Sequence, residues 1–306
     1  MTDTNNLMKK RCALVTGGNK GIGFETCRKL AASGITVILT ARNETNGREA
    51  VEKLKVSGLS DVVFHQLDIT DQASISAVAK FVETSFGKLD ILVNNAAAPG
   101  VVIAKPEELR SFKDGAAFAL VADEYADLLE GILVQDYELA EDCVRTNYYG
   151  VKAVITELLP LLQLSSSARI VNVTSNYGEL HFIPNGVVKA GLSNVENLTE
   201  EKIDDVVKWF LKDFKEDKLK ANGWPITVSA YKISKAAIAA YTRFLAKMYP
   251  RMIINCVHPG YVQTDITCKT GPLTPEEGAR APAMVALLPD DGPSGLYFSE
   301  MQPSAF

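Results

Sequence analysis

Histidine is scarce in this chain: the three present, His65, His181 and His258, are isolated and share no metal-ligand spacing, so no metal site is expected. Cysteine is sparse and dispersed. Cys12, Cys27, Cys143, Cys256 and Cys268 are odd in number and form no CxxC pair, which argues against a disulfide framework and for a reducing, cytoplasmic setting. No apolar run approaches the roughly 20 residues of a membrane span, and the opening MTDTNNLMKK lacks the apolar core of a secretory signal. Basic excess is missing too. With 32 Lys and Arg against 37 Asp and Glu, the net charge of −5 speaks against a nucleic-acid partner. There is no repeat, low-complexity tract or Pro/Gly/Ser-rich hinge. What remains is a 306-residue chain, 47% hydrophobic and 23% charged, read as one soluble domain over residues 1–306.

Strand-like and helix-like segments alternate along its front half. CALVT (12–16), TVILT (36–40), VVFHQL (62–67) and LDILVNN (89–95) are strand candidates, with helical stretches at 21–33, 44–57 and 71–86 between them. That rhythm predicts βαβ units in an α/β, doubly wound parallel sheet. Further strands are expected at 168–175, 252–260 and 295–298, and helices around 140–163, 231–248 and 275–287.

TGGNKGIG (16–23) follows the first strand and opens the first helix. Such a turn aims backbone N–H groups and the positive end of a helix at an anion, for which a dinucleotide pyrophosphate is the natural occupant. The spacing of Gly17, Gly21 and Gly23 differs from the commonest fingerprint, so a ligand-free flexible turn stays open on this motif alone. The second strand ends in Thr40, Ala41 and Arg42, where an NAD-binding chain would carry an acid. With Lys20, Arg42 could bond a 2′-phosphate, which favours NADP(H), although each alone could be a solvated surface cation.

YKISK (231–235) begins a helical run in which Tyr231 and Lys235, four apart, share a face. A neighbouring ammonium favours phenolate and would make the tyrosine a usable acid–base group.

With TGGNKGIG, NNAA (94–97), NVTS (172–175) and YKISK in that order across nearly the whole chain, the sequence resembles the short-chain dehydrogenase/reductase family. The resemblance implies a Rossmann-like sheet, a nicotinamide cofactor and an active site of Asn147, Ser175, Tyr231 and Lys235. Tyr231 would donate a proton to a carbonyl oxygen, Ser175 would orient and polarise that carbonyl, and Lys235 would hold the cofactor ribose and acidify Tyr231. Asn147 would support a water-linked proton relay. By the same resemblance the NADP(H) site comprises Gly17, Asn19, Lys20, Gly21, Ile22, Gly23, Arg42, Asp68, Asn94, Tyr231, Lys235, Pro259, Gly260, Val262 and Thr264.

Departures from the family pattern matter. Ala97 stands where glycine is usual, which would carry a modest penalty if the backbone there needs a positive φ or very close cofactor approach. Thr174 precedes Ser175, and strand alternation would turn the two hydroxyls to opposite faces. Ser175 and Tyr231 lie 56 positions apart, against about a dozen in simpler members, so roughly forty residues are inserted. Within them Ile203, Val206, Val207, Phe210, Leu211 and Phe214 fall at helical spacing, with Thr199 as a cap. A second insertion spans about 100–140 and contains Phe112, Phe118, Tyr125, Leu128 and Leu129.

The insertions, at about 100–140 and 177–228, are expected to form a helical lid over a hydrophobic substrate and to obstruct the family's usual dimerisation helices, giving a monomer. A decorative or partner-binding helix is the other possibility. The long insert ending in NGWP, with NYYGVKAV and LLPDDGPSG, is similar to a plant group typified by menthone reductase, neomenthol dehydrogenase and salutaridine reductase. That likeness implies NADPH-dependent reduction of a bulky cyclic ketone, terpenoid or alkaloid, to its alcohol. Tyr177, His181, Phe182 and Val228 are the substrate candidates, with Ile183 and Val187 beside them. An enone double-bond reductase and a non-catalytic NADPH-binding regulator are the alternatives, and Trp209 and Trp224 are expected to pack the insert.

Overall fold

A computed structural model describes residues 10–111 and 123–306. Phe112 and Phe118 lie outside these residues.

Eight strands form one sheet: β1 (Cys12–Val15), β2 (Thr36–Ala41), β3 (Val62–Gln66), β4 (Ile91–Asn94), β7 (Arg169–Val173), β8 (Ile253–His258), β9 (Tyr297–Ser299) and β10 (Gln302–Ser304). Their spatial order is β10-β9-β8-β7-β4-β1-β2-β3, all parallel except the short edge strand β10. β5 (Val102–Ile103) and β6 (Leu133–Val134) pair separately as an antiparallel ribbon within the first insertion. In strand β1 the side chains of Cys12 and Leu14 enter one core while Ala13 and Val15 enter the other, the period-2 alternation of a strand covered on both faces.

Helices α1 (Gly21–Ala32) and α2 (Glu44–Val56) cover one face, with α11 (Arg280–Ala286), which follows the single turn α10 (Pro275–Gly278). The other face carries α3 (Gln72–Phe86), α5 (Tyr137–Val144), α6 (Val151–Gln163) and α9 (Ser229–Met248). The first insertion also holds α4 (Pro106–Ser111), and the second holds α7 (Gly186–Ser193) and α8 (Glu200–Lys215). The chain runs outward from β1 to β3, then returns to β4 on the other side of β1. This reversal opens a crevice at the carboxyl ends of β1 and β4, where an open α/β sheet offers a ligand site.

The expected helix at 140–163 is broken into α5, a π-helical turn over Arg145–Gly150, and α6. Asn147 lies within this π-turn, and its side chain is bonded outside the helix, as described below.

Helix α8 forms as its apolar spacing predicts. Thr199 accepts the amide of Lys202 at 3.3 Å, and Ile203, Val207 and Phe210 are fully buried. Its apolar face packs on α5 and α9. Trp224 closes the insertion: it packs edge-on against Trp209 and Phe210 and donates its indole N–H to Asp213 at 2.7 Å. The two insertions therefore occupy different positions. A cleft of about 800 Å³ is lined from the first insertion by Val101, Ile103, Leu109 and Leu133, but from the 177–228 segment only by Tyr177 and Val228.

No helix among the described residues is long and apolar enough to cross a membrane. Among them, no group of three or more His, Cys, Asp or Glu side chains is arranged to hold a metal ion.

Candidate active site

The cleft begins at the glycine turn. The Gly18 amide donates to Thr40 at 2.8 Å and the Thr16 amide to Val93 at 3.0 Å, so the turn is pinned between β2 and β4. Gly17 and Gly21 have φ of +64° and +57°, the left-handed region that favours glycine. Gly23 is glycine for another reason: a Cβ there would lie 2.4 Å from both Asn95 Nδ2 and the Gly17 carbonyl oxygen. Protein atoms, not only a ligand, thus exclude side chains from this turn. Helix α1 starts at the turn with no side-chain cap at Lys20 and no acid in its first turn. Its uncapped N–H donors and positive dipole end suit a pyrophosphate.

Asn95, rather than Asn94, braces this turn. Its side-chain amide donates to the carbonyls of Thr16 at 2.9 Å and Gly17 at 3.2 Å, while the Thr16 hydroxyl accepts the amides of Asn95 and Ala96. Asn94 points elsewhere, donating to Asn172 at 2.8 Å inside the sheet, and does not line the cleft. The doubled Asn of NNAA was the only signal, and strand alternation alone assigns the two residues to opposite faces.

The other proposed cofactor residues, Asn19, Lys20, Ile22, Arg42, Asp68, Pro259, Gly260, Val262 and Thr264, all line the cleft. Arg42 is exposed at the end of β2. Lys20 is not a lone cation: it pairs with Asp265 at 2.5 Å across the mouth of the cleft. Asp68 is held in place by accepting the amide and hydroxyl of Thr70. Ala97 does not have a positive φ, so its methyl group carries no backbone strain.

Ser175, Tyr231 and Lys235 converge at the opposite end. Ser175 caps a short 3₁₀ turn after β7, accepting the Tyr177 amide at 3.2 Å, and its hydroxyl, on the cleft wall with Tyr231, donates to Asn176 Oδ1 at 3.2 Å. Thr174 is turned away, donating to the Lys235 carbonyl at 3.1 Å. A Cβ on Gly178 would lie 2.7 Å from the Lys235 backbone, so this glycine lets the 3₁₀ turn press against α9. Lys235 donates to the Val173 carbonyl at 2.9 Å, and its ammonium lies 5.4 Å from the centroid of the Tyr231 ring.

Burial controls the ionisation of these groups. It pushes the Tyr231 phenol well above its ordinary value, with the nearby Ser175 hydroxyl opposing the shift, and draws Lys235 down to about 8. In this state Tyr231 is a protonated hydroxyl. His258, also on the cleft wall, is kept neutral by burial, with its pKa lowered to about 4 and its Nδ1 without a partner.

Asn147 stands behind the cleft wall rather than on it. Its side chain accepts the Ala98 amide at 2.8 Å and donates to the Ala98 carbonyl at 2.9 Å and to Ser234 at 3.1 Å. It thereby ties the 95–98 segment to α9 from within the π-turn. Ser234 and Ala98, its partners, gave no sequence signal.

The substrate candidates divide. Tyr177 and Val228 line the cleft, whereas His181 and Phe182 do not. His181 is exposed with its ring near Glu179 at 3.3 Å, and Phe182 packs between Tyr177, His181 and the ammonium of Lys232. Ile183 is fully buried and Val187 is 74% exposed, so neither faces the cleft.

Residues 11–121 match the family model described as short chain dehydrogenase. A short-chain dehydrogenase/reductase 1 from Saponaria officinalis is 50% identical over 305 residues, covering 98% of this chain and 97% of that one. A (+)-neomenthol dehydrogenase from Capsicum annuum is 47% identical over 306 residues, covering 97% and 98%. The solved structure of salutaridine reductase from Papaver somniferum superposes with a TM-score of 0.89 at 48% identity, covering 95% of this chain and 100% of that one. With its glycine turn, its Ser175, Tyr231 and Lys235 at one cleft, and this likeness over its whole length, the chain belongs to the short-chain dehydrogenase/reductase family.

Proposed function

We propose that this chain is an NADP(H)-dependent oxidoreductase that reversibly reduces the carbonyl of a bulky hydrophobic cyclic ketone, a monoterpenoid or an alkaloid, to the alcohol. One observation carries the reading: Ser175, Tyr231 and Lys235 meet at one end of a cleft whose other end is an uncapped helix terminus flanked by Lys20 and Arg42. The dinucleotide supplies hydride when bound. Gly17 to Gly23 would seat its pyrophosphate, and the two cations suit a 2′-phosphate better than a ribose hydroxyl.

The protein's own contribution follows from burial and bonding. Tyr231, held protonated, donates its hydroxyl proton to the carbonyl oxygen, and Ser175 hydrogen-bonds the same oxygen as negative charge develops. Lys235 stabilises the phenolate left behind. Val101, Ile103, Leu109 and Leu133 give the site its apolar wall and exclude water from the reacting carbonyl. The first insertion is the cover in this reading. The second buttresses α5 and α9, and by occupying those helices it supports a monomer, for which sedimentation at the mass of one 33.2 kDa chain is the test. A cytoplasmic location is supported by five free thiols.

The test is NADPH oxidation by purified protein against menthone, camphor, carvone, isopiperitenone and a morphinan dienone, with products separated by chiral chromatography. Alcohol from a ketone is the expected product. Saturated ketone from an enone would replace carbonyl reduction by double-bond reduction, and tight NADPH binding with no turnover across the panel would favour a binding regulator.

A further inference from the structure

Val228, immediately before the helix that carries Tyr231, has φ of +47° and ψ of +39°. A β-branched residue seldom adopts this left-handed conformation, and it persists only where surrounding contacts enforce it. Those contacts come from the first insertion. The Asp123 carboxylate accepts the amides of Ile226 at 3.1 Å and Thr227 at 3.0 Å, and it pairs with the ammonium of Lys232 at 3.0 Å. Lys232 itself is fully buried one residue after Tyr231. Gln135 closes the other side, donating to the Ile226 carbonyl at 2.5 Å and accepting the Ser229 amide at 3.1 Å. Both backbone flanks of Val228 are therefore held by side chains 91 to 104 residues away in sequence.

Polar contacts, rather than continuous apolar packing, join these two segments. A side cavity of about 200 Å³ lies between them, bounded by Leu129 and Leu133 on one side and by Ile226, Thr227 and Val228 on the other. Leu133 and Val228 also line the main cleft, so the same clamp fixes part of the substrate wall.

We propose that Asp123 and Gln135 are positioning residues that hold Val228 in its left-handed conformation and thereby fix the start of α9, so that seating the first insertion over the cleft and aligning Tyr231 are one event. The proposal rests on the reading of Tyr231 as the proton donor. Its energetic logic is local. Asp123 spans two backbone donors and a buried cation, so its loss frees the turn to relax Val228 toward an ordinary backbone conformation, rotating the first turn of α9 with it.

Glycine adopts the left-handed region without the side-chain penalty, which gives the proposal a specific rescue experiment. Asp123→Asn, Val228→Gly and the double variant are compared with the wild-type chain for ketone turnover, NADPH affinity by fluorescence titration, and amide hydrogen exchange at residues 226–229. Asp123→Asn is expected to exchange those amides faster and to lose about tenfold in kcat, with NADPH affinity within about twofold of wild type. The double variant should regain a kcat within about threefold of Val228→Gly alone. Wild-type kcat in Asp123→Asn despite unprotected amides would overturn the proposal, as would a double variant no faster than Asp123→Asn. Unchanged amide protection in Asp123→Asn would overturn it without any turnover measurement. Failure of the wild-type protein to reduce any ketone would instead count against the catalytic reading on which the alignment of Tyr231 rests.

Discussion

Lys235 and Tyr231 stand one helical turn apart on α9, with the lysine ammonium 5.4 Å from the tyrosine ring centroid and anchored to the Val173 carbonyl at 2.9 Å. The carbonyl fixes the cation in a site too dry to favour it, which is why its pKa falls to about 8 from an ordinary 10.5. Below pH 8 the folded protein carries a buried charge that the unfolded chain would solvate. Between about 8 and 10.5 the unfolded chain binds the extra proton, so this lysine's contribution to stability rises with pH across that window. Lys235→Met should therefore be more thermally stable than wild type at pH 7, with the difference shrinking from pH 8 toward pH 10. A difference that is constant with pH, measured by thermal unfolding without cofactor, would contradict the assignment. The same variant should lose most turnover, because nothing then stabilises the phenolate of Tyr231.

Two glycines of the opening turn make separable predictions. Gly21 needs its left-handed φ, but its nearest neighbour to an added Cβ is Thr264 at 3.6 Å, so Asn, which tolerates that conformation, should cost less than about 1 kcal/mol there. Gly23 has no such space. Gly23→Ala puts a methyl group 2.4 Å from the Gly17 carbonyl and Asn95 amide, for which a loss of about 1–3 kcal/mol and weakened NADPH binding are expected. Chemical denaturation of the two variants, with NADPH titration, checks the order.

Cofactor preference should reside in Lys20 and Arg42. Replacing either by Ala is expected to weaken NADPH binding by about tenfold and leave NADH binding nearly unchanged, since only the 2′-phosphate distinguishes the two. Lys20 has a resident partner in Asp265, at 2.5 Å and largely exposed. Asp265→Asn should consequently leave the fold intact, because an exposed pair of this kind contributes little to stability, and should tighten NADPH binding by releasing the cation. Parallel titrations with both dinucleotides separate these effects.

Much of this arrangement was legible in the sequence because it is local. The apolar spacing from Ile203 to Phe214 predicts α8 and its buried face, and Thr199 caps it as read. The glycine turn, Arg42 after β2 and the Tyr-Lys pair on α9 each follow from residues a few positions apart. Long-range relationships were not legible. Asp123 reaches Thr227 across 104 positions, and Asn147 reaches Ala98 across 49, with nothing in either neighbourhood to announce the contact. The π-turn at 145–150 is of this kind, since Asn147 within it bonds the distant Ala98 backbone.

The segment after Ser175 defeated pattern reading for a different reason. Residues 176–185 form 3₁₀ turns and extended stretches, so neither the period of a helix nor that of a strand tells which side chain faces the cleft. Tyr177 faces it, while His181 points to solvent and Phe182 covers Lys232. In the same way, the sequence groups the two insertions as one lid, although α8 packs along the outer surface of α5 and α9.

The central claim is that the Tyr231 hydroxyl delivers the proton that completes carbonyl reduction. Tyr231→Phe removes that single oxygen from the cleft and leaves the glycine turn, Arg42 and Lys235 in place. NADPH titration and ketone turnover should be measured side by side on the wild-type and variant proteins. The account predicts NADPH affinity within about threefold of wild type with kcat reduced by at least about a thousandfold. Turnover within about tenfold of wild type, with the same alcohol as product, would contradict it.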